Sequence, residues 1–106
     1  MNTILGIDPG LRVTGYGVIH QEKQNFTYES SGTIKTTQQD LDLAERIKII
    51  VTGIDEVIEK FSPSIVAIEK VFVNTNPQST LLLGQARGAA IAATVAKEIN
   101  IYEYTA

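Results

Sequence analysis

Two short runs, Ile4-Leu5-Gly6-Ile7 and Ile65-Val66-Ala67-Ile68, limit the folds open to this chain more than any other feature. Each is continuously apolar, largely β-branched, and followed at once by an acid. Such a run reads as a strand buried on both faces. The first delivers Asp8 into a Pro9-Gly10 turn, and the second delivers Glu69. Burying one ionised carboxylate without a partner costs several kcal/mol. Two acids at the ends of two core strands therefore point to a shared cation or a bound phosphate group. The plainer alternative is that each carboxylate caps a turn or meets an arginine such as Arg12 or Arg87, since Asp-Pro-Gly is ordinary turn chemistry.

Composition narrows the metal chemistry. The chain has no cysteine and a single histidine, His20, which excludes disulfides and thiolate sites and nearly excludes a nitrogen-rich zinc site. Any metal here is expected to be oxygen-bound, and hard carboxylate ligands suit magnesium or manganese. With 106 residues and 43% hydrophobic content, the expectation is one globular domain that buries roughly two-thirds of its unfolded surface. Nine basic residues against twelve acidic ones give a net charge of −3. Alone, that balance argues mildly against nucleic acid as a partner, although Arg12, Lys35, Lys70 and Arg87 could still cluster beside a site. No apolar stretch reaches the ~18 residues of a membrane span and no signal-type segment opens the chain, so a cytoplasmic location is expected.

Along the chain, Thr3–Ile7, Arg12–His20 and Phe26–Ile34 read as three strands with turn-length connections at Pro9-Gly10 and Gln21–Gln24, hence an antiparallel meander. Gly15 and Gly17 interrupt the second strand, either as a bulge or because the backbone there must approach a ligand closely. Asp40 is the expected N-cap of a helix running to about Phe61, with Ala44, Ile47, Val51, Ile54, Ile58 and Phe61 on one face. Ser62-Pro63 stops it. The strand Ile65–Ile68 then follows a whole helix, so it should run parallel to a neighbour. A second helix is expected from Asn76-Pro77 to about Glu98, and Ile101–Tyr104 reads as a fifth strand.

The second helix is short of bulk, with Gly84, Ala86, Gly88, Ala89, Ala90, Ala92 and Ala93. Each glycine costs ~1 kcal/mol against alanine in a helix, so something must come close to this backbone. Tight packing on the sheet, a helix–helix subunit interface and nucleic acid lying along the surface are the three explanations.

Three hairpin strands followed by helix, strand, helix, strand is the opening of a ribonuclease H-like α/β fold, a mixed sheet with a meander and two helix–strand crossovers. In such a sheet the first and fourth strands can lie side by side, about 4.8 Å apart, which would project Asp8 and Glu69 together. Two carboxylates at that spacing repel unless a divalent cation stands between them. Metals held ~3.5–4 Å apart are what in-line phosphodiester displacement needs.

The segments I-L-G-I-D-P-G-L-R-V-T-G-Y-G-V-I (Ile4–Ile19), A-I-E-K-V-F (Ala67–Phe72) and L-G-Q-A-R-G-A-A-I (Leu83–Ile91) closely resemble the RuvC Holliday-junction resolvases. The resemblance spans nearly all of the chain in the right order. It implies a homodimeric endonuclease that nicks four-way DNA junctions in recombination and repair, with Asp8 and Glu69 as the first two of four carboxylates holding two Mg²⁺ (or Mn²⁺) ions. By the same resemblance, Phe72 stacks on a base of the opened junction. Asn74, Asn76, Ser79 and Arg87 contact backbone phosphates, joined by Arg12 and Lys70 in the candidate DNA face. The helix from Pro77 onward lies at the dimer interface through Gly84, Gly88 and Ile91, and a branch-migration helicase complex is the implied partner.

The family's other two carboxylates sit on a final helix not found in these 106 residues, so the resemblance also implies a C-terminally truncated form with little or no resolvase activity. Three other readings remain. One is a junction-binding or dimerisation module without catalysis. The second is a fragment of a sugar-kinase or actin-like ATPase, which shares the opening strand and Asp. The third is the RNA-processing branch of resolvase-like nucleases.

Overall fold

The apolar run Ile4-Leu5-Gly6-Ile7 forms the middle of a strand over Asn2–Asp8 (β1), and that strand sits at the centre of the sheet. A computed structural model of the chain describes residues 2–38, 40–70 and 76–104. The remaining elements are β2 (Val13–Glu22), β3 (Asn25–Lys35), α1 (Leu43–Phe61), β4 (Ile65–Glu69), α2 (Pro77–Ala96) and β5 (Asn100–Tyr104). The sheet order is β3-β2-β1-β4-β5. β1, β2 and β3 form the expected antiparallel meander. β4 runs parallel to β1, and β5 runs parallel to β4. This is the mixed sheet expected of a ribonuclease H-like α/β fold.

The core lies on one side of the sheet. Leu5, Ile7, Val18, Val66 and Ile68 are fully buried there, beneath Ile50, Ile54, Val57 and Ile58 of α1 and Ala86, Ala89, Ala90 and Ala93 of α2. The other side carries Ile4, Gly6, Ile19, Ile65 and Ala67, all only partly buried. Among the described residues the runs in β1 and β4 are therefore covered on one face, not two, because both helices pack on the same side.

The first helix starts and turns slightly differently from its sequence expectation. Asp42, not Asp40, caps α1 by accepting a 2.8 Å hydrogen bond from the Glu45 amide, while Asp40 takes a left-handed φ of 63°. The buried seam of α1 runs through Ile50 and Val57 as well as Ile54 and Ile58, and Ala44 is exposed. α1 ends at Phe61 as expected, with Ser62 left-handed and its amide bonded to the Ile58 carbonyl. β2 runs unbroken through Gly15 and Gly17, and the one irregularity of the β2–β3 ladder falls between Val18 and Ile19. The bulge reading of the two glycines is thus not what the backbone does.

The alanine-rich helix has two distinct sides. Its alanines at 86, 89, 90 and 93 are the tight-packing surface, at 7% exposure or less. Gly84 and Gly88 face outward instead: among the described residues, nothing beyond the adjoining helix backbone lies within 4 Å of where a Cβ would stand.

Candidate active site

β1 and β4 pair in register from Ile4↔Ile65 to Ile7↔Ile68. Continuing that register by one residue sets Asp8 beside Glu69. Strand side chains alternate, so Asp8 shares a face with Gly6 and Ile4, and Glu69 shares it with Ala67 and Ile65. Both carboxylates thus project from the face that the helices leave uncovered. Asp8 is exposed and Glu69 partly buried. Among the described residues, neither carboxylate has a hydrogen-bond or ion-pair partner, so neither caps a turn or meets Arg12 or Arg87. Two unpaired carboxylates on adjacent strands suit a hard divalent cation, which removes their repulsion and takes oxygen ligands.

The floor around them lacks side chains. β1–β2 pairing puts Gly6 opposite Gly17 and Asp8 opposite Gly15. A Cβ on Gly17 would meet nothing within 4 Å, and one on Gly15 would meet only the Asp8 Cβ, at 3.9 Å. Gly6, Asp8, Gly15, Gly17 and Tyr104 line one shallow depression of about 350 Å³. This geometry favours the close-approach reading of the glycines.

The turn after Asp8 is pinned from below. Thr14, fully buried, accepts from the Gly10 amide at 3.2 Å and donates to the Gly10 carbonyl at 2.7 Å. Beyond that turn, Arg12 shares a groove of about 400 Å³ with Gly10, Leu11, Val13, Ser79, Leu82 and Leu83. Two of the basic or polar residues expected to face DNA are thereby brought together between the β1–β2 turn and the start of α2. Lys70 is exposed directly after Glu69. Asn76 caps α2, its side-chain oxygen accepting from the Gln78 and Ser79 amides at 3.1 and 3.2 Å. Phe72 and Asn74 lie outside the described residues. Of the expected interface residues, Gly84 and Gly88 are exposed, whereas Ile91 is half-buried against the edge of the core.

Arg87, expected to contact a phosphate, is held by protein groups. Its guanidinium is 2.9 Å from a Glu103 carboxylate oxygen, its Nε donates to the Glu69 carbonyl at 3.3 Å, and its side chain is only 19% exposed. Glu103 pairs with Ile68 on the helix side of the sheet, so Arg87 works on the side opposite the two carboxylates. It clamps the ends of β4 and β5. The Arg87 hydrogen bond and charge hold the Glu103 carboxyl below its usual range. A depressed carboxylate pKa contributes stability above the unfolded value, and that stability is lost as pH falls through the folded one. Between about pH 5 and pH 3 the melting temperature of Arg87→Ala should therefore fall less steeply than that of the unaltered chain. Parallel slopes in a thermal-melt series would remove the clamp.

One residue was passed over in the sequence. Tyr104 pairs with Glu69 across β4–β5 and so belongs to the carboxylate face. Burial first, then the Glu69 and Asp8 charges, raise its phenol above the ordinary value. Nothing local in the sequence distinguishes it from Tyr102, but the strand register does.

A family model described as crossover junction endodeoxyribonuclease RuvC matches residues 4–106. The chain belongs to the RuvC family. A RuvC from Janthinobacterium sp. (strain Marseille) is 60% identical over 103 residues, covering 97% of this chain and 56% of the relative. One from Herminiimonas arsenicoxydans is 59% identical with the same coverage of both chains. The chain thus spans little more than half the length of these RuvC relatives. Among solved structures, T. thermophilus RuvC in complex with Holliday junction substrate superposes with a TM-score of 0.89 at 27% identity, covering 99% of this chain and 65% of that one. RuvC membership, which includes the Leu83–Ile91 segment, separates the chain from the sugar-kinase and actin-like ATPases that its opening strand alone left open.

Proposed function

We propose that residues 1–106 act as one nuclease domain of a structure-selective endonuclease that nicks four-way DNA junctions by metal-assisted phosphodiester hydrolysis. The observation that supports this most directly is the pair Asp8 and Glu69, adjacent in register, on one face and, among the described residues, without hydrogen-bond or ion-pair partners. Similarity to RuvC proteins, one of them solved with a Holliday junction, gives the substrate class. Asp8 and Glu69 hold divalent cations, Mg²⁺ or Mn²⁺, with two ions per site as in two-metal nucleases. Bound ions would activate water and stabilise the leaving oxygen. Gly6, Gly15 and Gly17 let the DNA backbone come down onto the sheet, and Arg12, Lys70 and Ser79 take phosphates at its rim. Phe72, Asn74 and Asn76 remain part of the proposed DNA contact, and Arg87 joins them if its pairing with Glu103 opens on binding. The outward stripe of α2 at Gly84 and Gly88 is the proposed homodimer surface, where small residues allow close helix approach. A branch-migration helicase is the proposed larger partner and the cytoplasm the proposed location; among the described residues no helix is long and apolar enough to cross a membrane.

A second reading has its own observation. Among the described residues no group of three or more acids or histidines could hold a metal, so two carboxylates stand alone, and a module that binds junctions without cutting them fits that count. Incubating the chain with a labelled four-way junction and Mg²⁺ separates the two. Nicking that disappears in Asp8→Asn supports the nuclease, and so does junction binding whose response to Mg²⁺ disappears in Asp8→Asn, the outcome expected if these residues alone cut little or not at all. Binding without nicking, unaltered by Asp8→Asn, supports the module.

A further inference from the structure

The depression beside Asp8 is unbalanced in its hydrogen-bonding groups. Asp8 offers only acceptors, and Gly6, Gly15 and Gly17 offer no side chain at all. Tyr16 also borders it, but its ring packs against the core and its hydroxyl lies 2.6 Å from where a Gly32 Cβ would stand. Among the described residues, Tyr104 is then the one side chain able to donate a hydrogen bond into this space, and its hydroxyl has no partner there. The residue is 43% exposed, open enough to meet a ligand.

Its backbone is firmly placed. The Lys70 amide donates to the Tyr104 carbonyl at 2.7 Å, and the neighbouring Glu103 is tied to Arg87 on the other side of the sheet. A donor that borders a glycine floor, on a strand tied to β4 and next to two carboxylates, can meet an incoming oxyanion.

We propose that Tyr104 is a substrate-contacting residue of this site, its hydroxyl donating a hydrogen bond to a phosphate oxygen of the DNA strand lying over Asp8 and Glu69. The proposal rests on the reading of those two acids as the metal-binding, DNA-facing pair. It assigns the oxyanion a neutral donor where the metal ligands supply only negative charge. An aromatic that merely fills the strand would need its ring but not its hydroxyl.

Two measurements on the chain test this. The first uses Tb³⁺ as a hard-cation probe, because the chain has four tyrosines and no tryptophan, so tyrosine-sensitised Tb³⁺ emission reports only tyrosines close to the ion. Tyr104→Phe should remove most of that emission while Tb³⁺ affinity by calorimetry stays within about twofold, and Tyr28→Phe, on the distant hairpin, should keep it. The second is the affinity for a four-way junction in Mg²⁺, which Tyr104→Phe should weaken roughly tenfold, as for the loss of a hydrogen bond to a charged group. Unchanged emission or unchanged junction affinity in Tyr104→Phe overturns the assignment while leaving Asp8 and Glu69 as ligands. Tb³⁺ binding that survives in Asp8→Asn overturns both.

Discussion

In metal-free buffer, Asp8→Asn and Glu69→Gln should each tighten binding of a four-way junction by about fivefold, and the double variant by more. Among the described residues both carboxylates stand unpaired on the face proposed to receive DNA, so without a cation each repels the phosphate that approaches it. A unit charge about 7 Å from a phosphate, at an effective dielectric between those of the protein surface and water, contributes on the order of 1 kcal/mol. Removing that charge while keeping the side chain's shape removes the repulsion and little else.

With Mg²⁺ the sign reverses. The unaltered chain gains affinity because an ion between the carboxylates attracts the same phosphate, whereas the double variant has lost its ligands and gains nothing. Fluorescence anisotropy of a labelled junction, at one fixed low salt concentration with EDTA or Mg²⁺, reads both halves. If the double variant binds no tighter in EDTA and responds to Mg²⁺ as the unaltered chain does, the two acids do not face the DNA.

What could be read in the sequence and what could not divide along the range of the interactions. Asp8 and Glu69 were legible because each ends an unbroken apolar run, and the parallel pairing of β1 with β4 followed from the helix between β3 and β4. The N-cap at Asn76 and the stop at Ser62-Pro63 were legible because such signals are local, whereas Asp40 and Asp42 are both sound caps and only the fold selects Asp42. α1 was harder, since its isoleucines and valines satisfy two overlapping three- and four-residue patterns, and only packing against the sheet selects Ile50 and Val57 over Ala44. Arg87 could not be read. Its charge suits a phosphate as well as Glu103, and only the order of strands puts Glu103 within 2.9 Å of it. Tyr104 fell out of view for the same reason, because its relation to Glu69 is a register between strands joined through a whole helix.

Gly10→Ala should cost about 2–3 kcal/mol of stability, roughly 10 °C in melting temperature for a chain of this size, and should weaken metal binding even well below its melting point. A Cβ at Gly10 would stand 2.2 Å from the Val13 carbonyl oxygen and 3.3 Å from its carbon. Those are backbone atoms, so no rotamer change relieves the contact. Gly10 has no positive φ, and its need for glycine is steric. The turn can yield only by breaking the two Thr14 hydrogen bonds to Gly10, which would leave a buried hydroxyl unsatisfied and release the segment that follows Asp8. Gly17→Ala is the matched contrast, because its methyl would enter open space. It should melt within about 2 °C of the unaltered chain, keep its cation affinity and lose junction affinity, since the added methyl lifts the DNA backbone off the glycine floor. Calorimetric melts with Mn²⁺ titrations separate the two variants. A Gly10→Ala chain that binds Mn²⁺ normally would mean that the turn does not hold Asp8 in place, and a Gly17→Ala chain that binds junctions normally would mean that DNA does not descend onto this floor.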